Sequence, residues 1–441
     1  MNIILVPIGS HGDVHPFVGI GMALRARGHR VRVIVNPFFG PLVEQAGLEL
    51  IPLGTTDFYK SMANNPELWK PIRGSKVVFQ SIGELVPPVY EAIVANNMPG
   101  ETAVVASTLA LGARVAQDRH QIPTASVHLQ PSIFRSHIAP PNLPGIFSGP
   151  RVPRWLLKAQ WAFIDNVVID RLACPSLNAF RKELGLPPVR GILRDYIHSP
   201  QRVIGMFPAW FAPPQADWPP QTRLTGFPLY DERGIAPLAP ELVKFLEEGL
   251  PPIAFTFGSA MWHARELLEQ SARACTLLGR RGILLTRHRD HLPPRLPAGV
   301  KHFDYAPFSE LLPRCAALVH HGGIGTSSQG LAAGVPQVIV PHAHDQLDNA
   351  TRVGKLGVGS MIKPSRYKSD LAAQTLGDLL GSESVAKACR EVKGKFAGVD
   401  VMGEACGIIE EMLGGVKGWG ERDVPVPGTS PEASALCYDE E

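Results

Sequence analysis

Short apolar runs alternate with amphipathic stretches along most of the chain, and this alternation predicts repeated strand and helix units. The first run, Ile3 to Val6, is followed by a glycine-containing turn and by a helical pattern that opens at Pro16 and ends at Gly28. Further strands are predicted at residues 29–35, 48–53, 102–107 and 123–129, and again at 252–259, 282–286, 300–305, 316–320 and 337–341. Such repeats are typical of parallel sheets, so each half predicts a doubly wound, Rossmann-like α/β domain.

Proline-rich passages separate these two halves. Prolines crowd between residues 207 and 220 and recur up to Pro240, which favours a linker between domains. We therefore predict an N-terminal domain at residues 1–220, a linker at 221–250, a C-terminal domain at 251–414 and a disordered tail at 415–441. A long helix rich in tryptophan and leucine is predicted at 154–172. Core packing is the simpler interpretation of this helix, and a surface for an acceptor or a membrane is the alternative.

The composition is that of a globular enzyme. The 441 residues are 45% hydrophobic and 19% charged, with a net charge of +3, so nucleic acid is not an expected partner. Six cysteines without a Cys-x-x-Cys pair argue against a zinc site or a disulfide framework, and they favour a reducing cytoplasm. The apolar start lacks signal-peptide features, and no apolar run reaches the roughly 18 residues of a membrane span.

The clearest local motif extends from His320 to Asn349. A buried strand leads into the glycine turn Gly322–Gly325, and a helical pattern follows. Glycines let a ligand approach the backbone closely, and the free N–H groups of a helix N-terminus bind phosphate. A second strand brings Asp345 and Gln346 to the same sheet edge, where open α/β sheets bind ligands. We expect a diphosphate on the first turn and a polyhydroxyl group on the second.

The order and spacing of these elements resemble the donor-binding region of family-1 nucleotide-sugar glycosyltransferases of GT-B fold. The matching segments are "GVPQVIVP", "DQLDNA" and the "YAP" that begins at Tyr305. The resemblance extends to about Leu413 and implies two Rossmann-like domains that face each other across a cleft. Within the family, "WFAPPQ" and "HDQLDNA" are most similar to the rhamnosyltransferases of rhamnolipid synthesis.

The resemblance also implies a set of residues that bind the donor. The turn amides and a histidine hold the diphosphate, the Asp-Gln pair binds sugar hydroxyls, and the glycine-serine pair after the strand at 252–259 reaches the diphosphate. The implied residues are Ser259, Tyr305, His320 or His321, Gly323, Gly325, Thr326, Asp345 and Gln346. Which of the two adjacent histidines meets the phosphate stays open, and Ser259 is equally well explained as a helix N-cap.

The turn "GSHGDVHP" resembles the acceptor-side turn of bacterial family members, and it implies that Asp13 is the catalytic base. The alternative is that Asp13 only caps a helix. His11 and His15 occupy variable positions. A carboxylate is ionised at neutral pH, whereas an unperturbed histidine becomes protonated below about pH 6.5. A carboxylate base therefore predicts activity that is held to lower pH than a histidine base would allow.

Metal ligation is the rival interpretation of "HAHDQ". Binuclear hydrolases need Asp and His where this chain has Gln346 and Leu347, and no Asp-x-Asp motif is present. We therefore expect no metal and no cofactor, because the helix dipole and turn amides can stabilise the leaving diphosphate.

The predicted function is an inverting, metal-independent glycosyltransferase. It moves a hexose or deoxyhexose from a UDP- or dTDP-sugar to a hydroxyl of a hydrophobic lipid or natural-product acceptor, either free in the cytoplasm or peripherally at a membrane. An NAD-type oxidoreductase is an alternative, but the G-x-G-x-x-G spacing fails at both glycine turns. A non-catalytic nucleotide-sugar-binding protein is a third class.

Overall fold

Two parallel sheets flanked by helices form the architecture, which confirms the predicted pair of doubly wound domains. The computed structural model describes residues 1–69, 71–149, 151–232, 237–258 and 264–414. Ser259 and the tail at 415–441, which was predicted to be disordered, lie outside the described residues. In chain order the first half contains β1 (Asn2–Val6), α1 (His11–Ala26), β2 (Arg30–Val35), α2 (Gly40–Gln45), β3 (Glu49–Pro52), α3 (Thr56–Ala63), α4 (Pro71–Ala95), β4 (Thr102–Ser107), α5 (Leu111–His120), β5 (Thr124–His128), α6 (Arg154–Phe163), α7 (Asp170–Glu183), β6 (Arg202–Gly205) and β7 (Thr222–Leu224). The second half contains α8 (Pro240–Glu247), β8 (Ile253–Thr256), α9 (Ala264–Leu278), β9 (Gly282–Leu285), β10 (Val300–Phe303), α10 (Phe308–Leu311), β11 (Ala317–His320), α11 (Ile324–Ala333), β12 (Gln337–Ile339), α12 (Gln346–Lys355), β13 (Gly359–Met361), α13 (Ser369–Gly381), α14 (Glu383–Gly394) and α15 (Val401–Gly414).

The strand order of each sheet reverses once and so defines a crevice. The first sheet has the order β3-β2-β1-β4-β5-β6-β7, and the second has the order β10-β9-β8-β11-β12-β13. Side chains alternate between the two faces, so Ile3 and Leu5 enter one core while Ile4 and Val6 enter another. Ligands bind beyond the carboxyl ends of the strands at such switch points. The loops after β1, β8 and β11 therefore border the expected site.

The predicted domain bounds differ from the observed packing at two places, the start of the linker and the last helix. Strand β7 extends the first sheet into the stretch that was predicted to be linker. Helix α15, placed by sequence in the second domain, packs on α1, and its Ala405 and Ile409 are fully buried in the core that contains Ile3. Arg27 also pairs with Glu410 at 2.7 Å. The last helix returns to the first domain because its apolar side covers the outer face of α1.

The predicted helix at 154–172 is longer than expected and changes its winding. Helix α6 continues through a π-helical segment, Ile164–Ile169, into α7. Asp165 lies fully buried inside that segment and accepts a hydrogen bond from Arg135 Nε at 3.2 Å. π-Helical turns are rare and occur mostly as short insertions inside α-helices, as here between α6 and α7.

Helix α4 is long and apolar. By length and composition alone its segment Lys76–Ala95 is long and apolar enough to cross a membrane, although Glu84 and Glu91 interrupt its apolar run and no span was predicted from sequence. Val86, Val89 and Ile93 of this segment are buried, and α4 packs against α5 and α7. We interpret α4 as a helix of the first domain's core.

Candidate functional site

Asp13 lies in the first turn of α1, directly after the loop that leaves β1. The helix begins at His11, earlier than the predicted opening at Pro16, and Ser10 is its N-cap. Asp13 is therefore the third helical residue, and Ser10 holds the N-cap position at which the sequence placed Asp13. Its Oδ2 accepts hydrogen bonds from Ser10 N at 2.7 Å and from Ser10 Oγ at 3.2 Å, as in a capping box. Gly9, with φ of +140°, has no room for a Cβ because this carboxylate occupies the space.

The Asp13 carboxyl is electrostatically connected to the second domain. Burial raises its pKa to about 6, and the charge of Asp345 raises it further, while the hydrogen bonds from Ser10 and the charge of His344 act in the opposite direction. Asp345 and His344 belong to the loop after β12. The two domains thus bring Asp13 and the predicted sugar-binding turn to opposite walls of one cleft.

An aromatic wall stands beside Asp13. Phe38 stacks on Tyr59 with centroids 4.7 Å apart, and the His11 ring meets Phe38 and Phe39 edge to face. Burial raises the pKa of Tyr59 to about 12, and the Asp13 charge adds to that rise. Phe38 and Tyr59 are not among the residues predicted from sequence. The position of "PFF" at the carboxyl end of β2 was a usable signal, but nothing in α3 marked Tyr59.

The two histidines of this wall have different surroundings. Burial lowers the pKa of His11 to about 4, with smaller contributions from His15 and Arg287 in the same direction. His11 Nδ1 is buried without a hydrogen-bond partner. His15 Nε2 lies 3.1 Å from Glu232 Oε1 in the segment between the domains. His11 is therefore neutral over the range in which Asp13 titrates.

The glycine turn opens α11 as the sequence predicted, although the helix begins at Ile324 instead of Thr326. Gly323 is its N-cap, and Gly325 and Thr326 lie in its first turn. The N–H groups of a first turn have no partner within the helix and point outward, which suits them to bind an anion. Gly322 has a φ of +98°, and its carbonyl accepts a hydrogen bond from Asn349 Nδ2 at 2.9 Å, which holds the backbone of the turn against α12.

His320 and His321 point to opposite sides of this turn. His320 is fully buried, its Nε2 pairs with Gln337 Oε1 at 2.8 Å, and its Nδ1 accepts from Gly322 N at 3.1 Å. Both ring nitrogens are therefore used inside the core. This geometry corrects the inclusion of His320 among the donor contacts, since the packing of β11 against β12 turns it inward.

His321 occupies a cradle made of two glycines. A Cβ on Gly258 would lie 3.1 Å from the His321 ring, and one on Gly323 would lie 2.7 Å from its Nε2. Burial lowers the pKa of His321 to about 4 although a hydrogen bond with the Thr256 backbone acts in the opposite direction, so its ring is neutral. A neutral imidazole that is held between these two glycine turns has one N–H donor and one acceptor nitrogen.

The turn after β12 is held by its own polar side chains. Asp345 is the N-cap residue of α12, its Oδ2 accepts from Asn349 Nδ2 at 2.6 Å, and burial raises its pKa to about 6. Gln346 Oε1 accepts from His342 N at 2.7 Å and from Ala343 N at 3.1 Å. The amide oxygen of Gln346 therefore shapes the loop, and its Nε2 is the group left for a sugar hydroxyl.

His344 has an unusual backbone in the same turn. Its φ is +56°, a left-handed conformation that is uncommon for a residue other than glycine and is often found at functional sites. Neither Gly nor Asn stands there, so the strained backbone is not visible from residue type. From the sequence, His344 was a candidate only for metal ligation.

Tyr305 meets the segment between the domains. Its hydroxyl donates to the Asp231 carbonyl at 2.9 Å, and Asp231 Oδ2 in turn accepts from Ser309 N at 2.7 Å. The Tyr305 hydroxyl, which was predicted to bind the donor, thus bonds the backbone of the segment that connects the two domains. The Arg287 guanidinium lies 5.3 Å from the Tyr305 ring centre, so the loop after β9 contributes a cation beside this ring.

Metal ligation receives no support from side-chain geometry. Among the described residues no group of three or more His, Cys, Asp or Glu side chains is placed to hold a metal ion. Within "HAHDQ", His342 Nδ1 bonds its own chain at the Val340 carbonyl, 2.8 Å away.

Comparisons with known proteins agree on one family. Residues 3–137 match the glycosyltransferase family 28 N-terminal domain, and residues 282–412 match the erythromycin biosynthesis protein CIII-like C-terminal domain. The chain is 31% identical over 427 residues to an O-mycaminosyltylonolide 6-deoxyallosyltransferase of Streptomyces fradiae, a match that covers 93% of this chain and 97% of that one.

Two solved structures share the fold. The glycosyltransferase of kitacinnamycin superimposes with a TM-score of 0.73 at 22% identity, covering 93% of this chain and 99% of the other. The glycosyltransferase VinC in complex with dTDP superimposes with a TM-score of 0.65 at 16% identity, covering 94% and 100%.

Proposed function

Because this chain belongs to the GT-B glycosyltransferases with a family-28 N-terminal domain and an erythromycin-CIII-like C-terminal domain, we propose that it moves a hexose or deoxyhexose from a UDP- or dTDP-sugar to a hydroxyl group. The Streptomyces fradiae relative is named for a 6-deoxyallosyl group, and VinC was solved with dTDP, which supports including a dTDP-deoxyhexose among the donors. Rhamnose belongs to that class, and "WFAPPQ" and "HDQLDNA" resemble rhamnosyltransferase segments.

The donor binds across the second sheet's switch point. Its diphosphate meets the first-turn amides of α11 and the neutral His321 ring, while its sugar meets Asp345 and Gln346 Nε2. Asn349 supports both halves of this arrangement, because its Nδ2 bonds the Gly322 carbonyl and the Asp345 carboxylate together. Positive helix-end charge and preorganised donors stabilise the departing diphosphate without a cation.

Asp13 is the general base, and the observation that supports this role most directly is its electrostatic coupling to Asp345 and His344 across the cleft. The acceptor oxygen attacks the anomeric carbon on the face opposite the diphosphate and gives its proton to Asp13. The new carbon–oxygen bond forms as the bond to the phosphate oxygen breaks, and the bonding pair leaves with the nucleoside diphosphate. An in-line displacement of this kind inverts the anomeric configuration.

The acceptor is a hydrophobic lipid or natural product that enters from the first domain. Phe38 and Tyr59 offer an apolar wall next to Asp13, so an alcohol on an apolar carrier can pack there with its hydroxyl at the carboxylate. We place the enzyme in the cytoplasm, with peripheral access to a membrane. The NAD-type oxidoreductase is not favoured, because the family members are transferases.

The test combines donor binding with product stereochemistry. A UDP- or dTDP-sugar should raise the unfolding midpoint, since a ligand at about 100 times its Kd stabilises the fold by roughly 2.7 kcal/mol. The stabilising donor, incubated with a panel of long-chain and aromatic alcohols, should yield a glycoside whose anomeric configuration, measured by NMR, is opposite to that of the donor. A product with retained configuration, or stabilisation by NAD but by no nucleotide sugar, would overturn the proposal.

A further inference from the structure

Three large aromatic side chains are exposed together on the first domain, outside the cleft. Trp155 is 70% exposed, Phe147 is 62% exposed and Phe163 is 60% exposed. Phe147 is held beside α6 because Gln160 Oε1 accepts from its N–H at 2.7 Å and Gln160 Nε2 donates to its carbonyl at 3.1 Å. We call these three residues the aromatic face.

The exposure is not a consequence of poor packing, since α6 has a second apolar side that is well buried. Leu157 and Trp161, one turn apart, are 3% and 6% exposed. Trp161 Nε1 donates to the Ser136 carbonyl at 3.1 Å, and the Arg135 guanidinium lies 4.3 Å from its ring centre. At 100° per residue, Trp155 and Phe163 lie on roughly the opposite side of the helix. A helix that is apolar on two sides but packed against the protein on only one side has a second apolar side available for a binding partner or a membrane.

The charge around the aromatic face indicates the kind of neighbour. Arg151, Arg154 and Lys158 are exposed on and just before α6. No aspartate or glutamate occurs between Arg119 and Ile164, so no acid offsets these three cations within that stretch. Helices that lie in the interface of an anionic lipid bilayer typically expose tryptophan and phenylalanine beside basic residues that have no acidic neighbours in sequence.

The loop that carries Phe147 also reaches the donor side of the cleft. Asn142 N donates to Asp348 Oδ1 and Asn142 Nδ2 donates to Thr351 Oγ1, both at 2.9 Å, and both partners lie on α12. Ser148 Oγ, next to Phe147, donates to Asn142 Oδ1 at 3.2 Å. One short loop therefore connects the aromatic face with the helix whose N-cap is Asp345.

We propose that the aromatic face and its flanking basic residues dock the enzyme on an anionic membrane surface. Trp155, Phe147 and Phe163 enter the headgroup region, while Arg151, Arg154 and Lys158 contact lipid phosphates. Docking in this orientation brings a lipid-like acceptor to the loop that borders the cleft. That last link rests on the proposed function, but the docking itself does not.

The experiment measures co-sedimentation of the full chain with vesicles, in the absence of any donor. Vesicles of phosphatidylcholine alone are compared with vesicles of phosphatidylcholine and phosphatidylglycerol in equal parts. Trp155→Ala/Phe163→Ala should lower partitioning onto the mixed vesicles about ten-fold or more, because two large apolar groups no longer enter the interface. Arg154→Gln/Lys158→Gln should lower it by about five-fold for each charge and should matter little on phosphatidylcholine alone.

Matched controls lie on the second domain. Leu277 is 58% exposed on α9, so Leu277→Ala removes an equally exposed apolar side chain, and Lys363→Gln/Arg366→Gln removes two exposed charges. Both controls should partition as the unchanged protein does. Light scattering of each variant reports its oligomeric state, and thermal unfolding reports its folding.

Three results would overturn the proposal. The unchanged protein fails to bind the mixed vesicles, or the controls lose as much binding as the α6 variants, or the α6 variants convert a dimer into a monomer. The last result would assign the aromatic face to contact with a second copy of the chain. A loss of vesicle binding with normal transfer to a water-soluble alcohol supports docking and leaves the proposed transferase function intact.

Discussion

Replacing Asp13 by asparagine should lower the rate of transfer and raise the stability of the fold, because the carboxylate is needed as a base but is costly to bury in its ionised form. Asparagine keeps an oxygen that can accept from Ser10 N, so the capping contact survives. The proton acceptor is lost, and removal of a general base usually costs about 10² to 10⁴ in rate. We therefore expect Asp13→Asn to bind donor normally and to lose turnover by that factor.

The same substitution should make the protein more stable. The Asp13 pKa rises from 3.8 to about 6 on folding, mainly through burial. At about 1.4 kcal/mol per pKa unit, keeping this carboxylate ionised costs the folded state up to about 3 kcal/mol. Because the folded pKa is the higher one, the cost is absent below about pH 4, grows as the pH rises through 6 and is complete above it. The stability of Asp13→Asn should exceed that of the unchanged protein at pH 8, and the difference should vanish near pH 4.

The pH profile of turnover distinguishes the candidate bases, in the reverse of the order expected from the sequence. Asp13 must be ionised, so a carboxylate base predicts that kcat falls as the pH drops through about 6. The pKa of His11 is lowered to about 4, so a His11 base would hold activity well below pH 6. Asp345 titrates in the same range as Asp13. The profile is therefore taken at saturating donor and repeated in Asp345→Asn.

The assays are single-turnover transfer and thermal unfolding, both across pH 4 to pH 8, a range chosen to bracket these pKa values. Asp57→Asn is the matched control, because Asp57 is an exposed aspartate in the first turn of α3. It should change neither quantity. The assignment of Asp13 as the base is refuted if His11→Ala abolishes transfer while Asp13→Asn retains most of it. It is also refuted if kcat at pH 5 is as high as kcat at pH 8.

The remaining predictions concern the donor site. His321→Ala should lower turnover on the order of 10²-fold, measured at saturating donor, whereas His320→Ala should chiefly lower the unfolding midpoint, because it leaves a cavity and an unpaired Gln337; equal turnover losses for the two would contradict the geometry. Asp345→Ala should weaken binding of the intact nucleotide sugar far more than binding of the free nucleoside diphosphate, measured by calorimetry, and parallel losses would exclude a sugar contact. Transfer should persist in excess chelator, and a loss that is restored by magnesium or manganese would show that a cation is needed.

The sequence alone determined the fold class and most of the strands. Apolar runs at residues 3–6, 102–107 and 282–286 formed strands close to the predicted bounds, because a strand buried on both faces is continuously apolar. The glycine turn after β11 was equally visible, since glycine and a following helix are local features. Strands β6, β7 and β13 were not predicted. Their sequences, RVIG, TRL and GSM, contain no more than two consecutive apolar residues, so they lack the continuous apolar run of a buried strand.

Only the tertiary structure decided what the individual polar residues do. His320 and His321 are adjacent and chemically identical, yet the pairing of β11 with β12 buries one and leaves the other beside the glycine turn. Asp13 and Asp345 lie in different domains, and burial raises the pKa of each. At Asp13 the charge of Asp345, which belongs to the other domain, adds to that rise. Sequence patterns report the conformation of neighbouring residues, whereas burial and electrostatic coupling depend on contacts between distant parts of the chain. For that reason the motif predicts the position of the site, whereas the contacts and protonation of its side chains depend on packing.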